Sequence, residues 1–229
     1  MRDDPSREPW GIVTAEFLAG AQRAAQLPEA VGTEIAFAGR SNVGKSSLMN
    51  ALMGRRGLVR TSGTPGCTRQ ISFFQTRARD GREQVLVDLP GYGYARRSKS
   101  ERDEWADLIE WYLVEREALR VVVVLFDARR GLEEEEAGLC EFIGTRPSAR
   151  PASVVVVATK IDKLPKSKRQ SMLAKLGRRA LVVSATEGEG IAALWSELRR
   201  ATTAGEGRAD SAPTSASTSA DAGQTPVRR

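Results

Sequence analysis

Apolar positions recur along the chain with two periods, and their alternation sets out the fold. Glu34-Ile35-Ala36-Phe37-Ala38, Val121 to Phe126 and Val154 to Ala158 are apolar stretches of strand length, and Ala180 to Val183 is a fourth. Gln70 to Gln75 and Glu83 to Asp88 read as two strands joined by a polar turn at Asp80-Gly81, a hairpin signal. Helical stripes fall between them. Leu48, Ala51 and Leu52 share one face ahead of a Gly54 cap, and Trp105, Leu108, Ile109, Tyr112 and Leu113 follow the capping box Ser98-Lys99-Ser100-Glu101. Leu132 to Ile143 closes at Gly144, a basic helix carries Lys166, Lys168, Arg169 and Lys175, and Ile191, Leu194, Trp195 and Leu198 make the last stripe. Strands alternating with helices after one early hairpin predict an α/β domain in three layers: a mostly parallel six-stranded sheet with one antiparallel edge strand and helices on both faces.

The flanks differ from this middle. Residues 1–11 are charged and proline-containing and are expected to be disordered. Ile12, Val13, Phe17 and Leu18 give residues 12–33 enough apolar bulk to pack on the domain as an extension. The domain itself is expected over 34–201. Residues 202–229 hold Ala, Ser, Thr, Gly and Asp with almost nothing apolar to bury, so a disordered tail is expected.

Composition narrows the chemistry. The chain has 229 residues, a net charge of +6 and no histidine, which excludes a histidine base and a Cys/His zinc site. The positive excess lies in the central domain, which is compatible with an RNA or nucleotide partner and equally with a solvated basic surface. Cys67 and Cys140 sit in unrelated settings and are expected as free thiols in a reducing compartment. No segment reaches the roughly 20 apolar residues of a membrane span, and the N-terminus lacks an apolar signal core. The expected location is the cytoplasm.

The chemistry concentrates in loops that follow strands. Gly39-Arg40-Ser41-Asn42-Val43-Gly44-Lys45-Ser46 fits G-x-x-x-x-G-K-[ST] between a strand and a helix. Its glycines let backbone N–H groups point at phosphate oxygens; Lys45 is then expected to reach the β- and γ-phosphates and the Ser46 hydroxyl to bind Mg²⁺. Asp88 is suited to hold Mg²⁺ through water, and the Gly91 N–H to approach the γ-phosphate. In Thr159-Lys160-Ile161-Asp162, the Asp162 carboxylate can accept from guanine's ring N–H and amine together, which adenine cannot match. Lys160 would lay its stem across the base, and Ser184-Ala185 would offer a backbone N–H to the guanine oxygen. Residues 55–70 form a long loop with Thr61, Thr64 and Thr68 as candidate switch threonines. Glu133 to Glu136 diverge around a helix and read as a solvated first turn rather than a metal site.

These motifs resemble those of the EngB (YihA/YsxC) family of bacterial P-loop GTPases. The likeness rests on residues 34–48, on Thr-Pro-Gly-Cys-Thr-Arg-Gln at 64–70, on Asp-Leu-Pro-Gly-Tyr-Gly-Tyr-Ala at 88–95 and on Thr-Lys-Ile-Asp at 159–162. It covers roughly Ile12 to Arg200. The resemblance implies a P-loop GTPase fold and a monomer that hydrolyses GTP to GDP in large ribosomal subunit assembly, with a link to cell division and septation. Its partner would be that subunit, its rRNA or precursors, and neither DNA nor a membrane. The implied nucleotide-binding positions add Ser47, Gly66, Cys67, Arg69, Gln70, Leu89, Pro90 and Val183 to those above, and Thr68 becomes the switch threonine and second Mg²⁺ ligand. Cys67 stands where relatives often have a basic residue.

The implied catalytic set is Lys45, Thr68, Gly91 and Asn42. After Gly91, Ras-like proteins carry a glutamine that orients water; Tyr92 stands there instead, so slow intrinsic hydrolysis is expected. GTPases with asparagine at position 42 of the loop use K⁺ near the phosphates, and the same is expected here. Arg55, Arg56 and Arg60, then Arg96, Arg97 and Lys99, flank the two switch loops and are candidates for RNA contact. Two rivals stand beside this reading: a P-loop phosphotransferase, and an RNA-binding or divisome-interaction module in which hydrolysis is incidental.

Overall fold

In the computed structural model the residues described are 11–59, 70–92, 99–145, 152–176 and 180–206. Five strands run parallel: β2 (Thr33–Gly39), β4 (Glu83–Asp88), β5 (Leu119–Asp127), β6 (Ser153–Thr159) and β7 (Leu181–Val182). Strand β3 (Ile71–Ala78) pairs antiparallel with β4 through the expected hairpin, where Gly81 takes φ 84° and its N–H bonds the Ala78 carbonyl at 3.0 Å.

A seventh strand, β1 (Ile12–Ala21), corrects the expected six. It pairs antiparallel with β3 and gives the order β1-β3-β4-β2-β5-β6-β7, so the antiparallel strand β3 lies one place in from the edge. The physical reason it escaped the hydrophobic pattern is its position. An edge strand buries little, here Ala15 and Ala21, while Val13, Phe17 and Leu18 stay exposed. Register shifts at Ile12/Thr14 and Phe17/Ala19 break whatever alternation remains.

The helices are α1 (Lys45–Met53), α2 (Lys99–Glu115), α3 (Glu134–Thr145), α4 (Lys166–Leu176) and α5 (Ile191–Glu206). Alternate residues of the central strands bury on opposite faces, which makes the three layers. Ile35, Phe37, Val123, Leu125 and Val157 pack with Leu48 of α1 and with Leu194, Trp195 and Leu198 of α5. Ala36, Ala38, Val122, Val124 and Val87 pack with Leu108, Tyr112 and Leu113 of α2 and Ile143 of α3. In β2, small alanines line one face and Ile35 and Phe37 the other. The Trp195 indole N–H bonds the Leu52 carbonyl at 3.1 Å and ties α5 to α1.

Helix α5 runs to Glu206, past the expected domain end at 201. Ala201 and Thr202 are buried, and the Thr202 and Thr203 hydroxyls both bond the Arg199 carbonyl at 2.9 Å. After α1, Asn50 exchanges two hydrogen bonds with the Val59 backbone at 2.8 and 2.9 Å, which ties the start of the expected long loop to the helix; residues 60–69 lie outside the described residues. The capping residue Ser98, residues 1–10 and residues 207–229 lie outside the described residues.

Candidate functional site

The parallel strands place Gly39, Asp88, Asp127 and Thr159 together at one edge of the sheet, the C-terminal edge where ligands bind in this architecture. Gly39 is required there by packing: a Cβ on it would lie 2.9 Å from the Leu125 carbonyl oxygen and 3.0 Å from the Leu125 Cβ. Gly44, at φ 108°, turns the chain from loop into α1, a conformation open to glycine. The first helical bond is Leu48 N–H to Gly44 O at 2.9 Å. The amides of Gly44, Lys45, Ser46 and Ser47 therefore precede the helix ladder, as a phosphate cradle requires.

Lys45 and Asp88 are both buried, at 8% and 3% exposure, and the ammonium bonds the carboxylate directly. Each charge satisfies the other. Ser46 is half-buried next to them, and Ser47 is exposed. The segment following Asp88 lies on the phosphate loop: Leu89 N–H bonds the Phe37 carbonyl at 3.1 Å, and Ser41 N–H bonds the Tyr92 carbonyl at 3.1 Å. Pro90 is buried between them. Gly91 is so close that a Cβ would lie 2.7 Å from Ser41 Oγ and 2.9 Å from Ser41 N.

On the base side, Thr159 donates its hydroxyl to the Val43 carbonyl at 2.6 Å, with the Phe126 carbonyl at 3.0 Å. Lys160 has φ 59°, and its ammonium bonds the Asn42 carbonyl and lies 3.2 Å from Asp127 Oδ2. Ile161 is buried. Ser184 Oγ donates to Asp162 Oδ1 at 2.8 Å. Burial alone would push the Asp162 carboxyl up, but the Ser184 hydroxyl and the Lys163 ammonium more than offset it and hold it below the usual range. Two backbone donors expected at the base are already used: Ser184 N–H goes to the Glu189 carbonyl at 2.9 Å and Val183 N–H to the Ala158 carbonyl at 2.8 Å. Ala185 is thus the position left to offer an N–H to a base.

Asn42 takes φ 63°, which asparagine tolerates better than most residues, so the backbone supplies one reason for its presence. The Arg40 side chain turns away to Glu133 at 2.6 Å and Glu135 at 3.3 Å on the approach to α3. Gln70 sits beside Ser72, opposite Asp88 in the hairpin register. Gly66, Cys67, Thr68 and Arg69 lie outside the described residues, as do Thr61, Thr64, Arg60, Arg96 and Arg97.

The expected solvated turn at Glu133 to Glu136 needs correction. Glu136 is 1% exposed, accepts from the Glu133 N–H at 3.1 Å, and receives the Tyr92 hydroxyl at 3.3 Å. Burial, with this carboxylate alongside, raises the Tyr92 phenol well above its ordinary range, so the hydroxyl remains a donor. The cause is the helical period: Glu134 and Glu135 stay exposed as expected, while Glu136 falls on the inner face of the first turn of α3, toward Tyr92.

A cleft of about 470 Å³, lined by Arg40, Asn42, Asp127, Arg129 and Lys160 among others, opens beside the loop. Asp127 and Arg129 are the site residues that sequence reasoning missed; the one available signal was an aspartate ending a strand at the ligand edge. Another buried pair escaped notice farther off, where Glu34 accepts from Tyr112 at 2.8 Å and from Arg116 Nη2 at 2.5 Å.

A phosphate-loop strand and helix, a buried Lys–Asp pair and a carboxylate held by Ser184 and Lys163, on one edge of a parallel sheet, define a P-loop GTPase. A family model described as "50S ribosome-binding GTPase" matches residues 34–160. The chain is 43% identical over 207 residues to a probable GTP-binding protein EngB of Anaeromyxobacter sp. (strain Fw109-5), covering 85% of this chain and 94% of that one. It is 44% identical over 194 residues to the EngB of Lacticaseibacillus casei (strain BL23), covering 81% and 93%. A crystal structure of a probable EngB superposes with TM-score 0.57 at 23% identity, covering 75% of this chain and all of that one. Era in complex with MgGDPNP and a 16S ribosomal RNA segment shares the fold at TM-score 0.57 and 20% identity, over 74% of this chain and 56% of that one. The chain belongs to the EngB family of GTP-binding proteins. Among the described residues no helix is long and apolar enough to cross a membrane.

Proposed function

We propose that the chain is a guanine-nucleotide switch that hydrolyses GTP slowly to GDP and phosphate, acting as a cytoplasmic monomer in assembly of the large ribosomal subunit. The observation that supports guanine is the Asp162–Ser184 pair at the same sheet edge as Lys45 and Asp88. An ionised carboxylate has only acceptors, and guanine presents it with two adjacent donors.

The residues fit a nucleotide with Mg²⁺. Phosphates would draw Lys45 away from Asp88, and the released carboxylate would then accept from metal-bound water. Ser46, Thr68 and, through water, Asp88 would hold the metal, which when bound supplies positive charge to the β- and γ-phosphate oxygens. Among the described residues no group of three or more His, Cys, Asp or Glu side chains could hold a metal by itself, so phosphate oxygens would complete the ligand set. Gly91 offers its N–H to the γ-phosphate. Tyr92, tied to Glu136, brings no group to orient water, and slow hydrolysis follows. Catalysis then rests on positioning and charge, which Thr68, Lys45 and a K⁺ near Asn42 would supply.

The ribosomal reading is supported by the description of the matching family and by exposed Arg129, Arg130, Lys163, Lys166 and Lys168 in the segments that follow β5 and β6. Titration with fluorescent GDP and ADP tests the base, with GDP expected to bind more tightly by at least about 100-fold. Hydrolysis in KCl and NaCl, for the wild type and Asn42→Gly, tests the cation. Glycine keeps the positive φ and removes the side chain, so stimulation by K⁺ should vanish with it; stimulation that survives would exclude Asn42.

A further inference from the structure

We propose that Asp127 and Arg129, at the end of β5, act as a positioning pair for guanine-nucleotide recognition by fixing the Lys160 side chain. This rests on the reading of Lys160 and Asp162 as base-contacting residues. Asp127 is 8% exposed, yet its carboxylate carries a full set of donors. Arg129 contributes its backbone N–H at 3.0 Å, Nε at 2.9 Å and Nη2 at 2.6 Å, and Lys160 its ammonium at 3.2 Å. Burial by itself would raise this carboxyl; the Arg129 and Lys160 donors hold it down to about 2.

A turn-closing role accounts for only part of this. The Arg130 and Gly131 amides bond the Asp127 carbonyl at 2.9 and 3.1 Å, and Arg129 N–H meets the carboxylate, so the turn is closed without Lys160. Lys160 comes from the end of a different strand. Its positive φ aims the side chain back across the phosphate loop, where the ammonium meets two acceptors, the Asn42 carbonyl and Asp127. Either one alone would leave the stem free to pivot; two at an angle fix it. That stem is the surface on which a base would rest, so Asp127 sets the height of the platform. Arg129 holds the carboxylate in place through two guanidinium nitrogens, and the Arg129 charge also acts on Asp162, the base-reading group. One cation thus connects the platform to the reader.

The test is the dissociation rate of fluorescent GDP from the full chain, chased with unlabelled GDP. Asp127→Asn should speed dissociation about tenfold and Arg129→Ala about threefold, with association rates within a factor of about two of wild type. A purely structural role would give the same increments whether or not Lys160 is present. In a Lys160→Ala background, the positioning role instead predicts that Asp127→Asn adds almost nothing. Wild-type dissociation in Asp127→Asn, or an undiminished effect in the Lys160→Ala background, would overturn the proposal. Should Asp127→Asn fail to fold, Arg129→Ala carries the same cycle, since its side chain is largely exposed. A wild-type chain that binds no fluorescent GDP would instead overturn the guanine-nucleotide reading on which the pair depends.

Discussion

Lys45 shows how one side chain can serve both the resting fold and the ligand. Buried against Asp88, it neutralises a carboxylate that would otherwise be stranded in the interior. Lys45→Ala therefore removes two things at once. Leaving Asp88 unpaired should cost about 3–5 kcal/mol of stability, and nucleotide affinity should fall because no ammonium meets the phosphates. The two effects separate in Lys45→Ala/Asp88→Ala, which should recover most of the thermal stability and none of the affinity. Thermal unfolding alongside fluorescent GDP titration reads both. The same residue scale explains what the sequence could and could not disclose at the site. The placement of Gly39, Gly44, Lys45 and Ser46 between β2 and α1 is legible because it depends on spacing along one loop. Asp127, Arg129 and Glu136 act across elements, and nothing in their local sequence states which loop or strand end they will meet.

At the scale of elements, runs that bury both faces were legible, as in β2, β5 and β6, and so were the stripes of α1, α2 and α5. Strand β1 was not, because its stabilisation comes from the backbone ladder to β3 and from Phe17 lying edge-on to Phe74 at 5.7 Å, which leave no buried stripe to read. A truncation starting at Gln22 would strip that ladder and leave β3, with Phe74, as a bare edge. The expected result is a lower unfolding midpoint and concentration-dependent association, seen by light scattering. A second prediction belongs to the strand ends. Asp127 is held to about 2 and Asp162 below its usual range, so each stabilises the folded state fully above about pH 4. That contribution is lost as pH falls through the folded values. The unfolding midpoint should drop between about pH 4 and pH 2, and Asp127→Asn should flatten part of the drop.

Across the whole molecule, the phosphate loop is joined to two other elements that a nucleotide would disturb. Ser41 N–H holds the Tyr92 carbonyl, Tyr92 reaches Glu136 of α3, and Arg40 meets Glu133 and Glu135. Phosphates that draw Lys45 from Asp88 and engage Gly91 would act on the same segment, so the surface next to it should differ between the GTP and GDP states. Binding to large ribosomal subunits should then be strongest with a non-hydrolysable GTP analogue, measured by co-sedimentation with the analogue, with GDP and with no nucleotide. Because exposed Lys163, Lys166 and Lys168 would meet phosphates, the affinity should fall steeply with salt. Lys166→Ala/Lys168→Ala should lower the slope of log affinity against log salt by about 1 for each phosphate left without its lysine, while fluorescent GDP binding stays unchanged. Equal sedimentation in all nucleotide states would remove the switch, and an affinity insensitive to salt would remove the RNA contact. The two results are independent, because a constitutive RNA binder keeps the salt slope and loses only the nucleotide dependence.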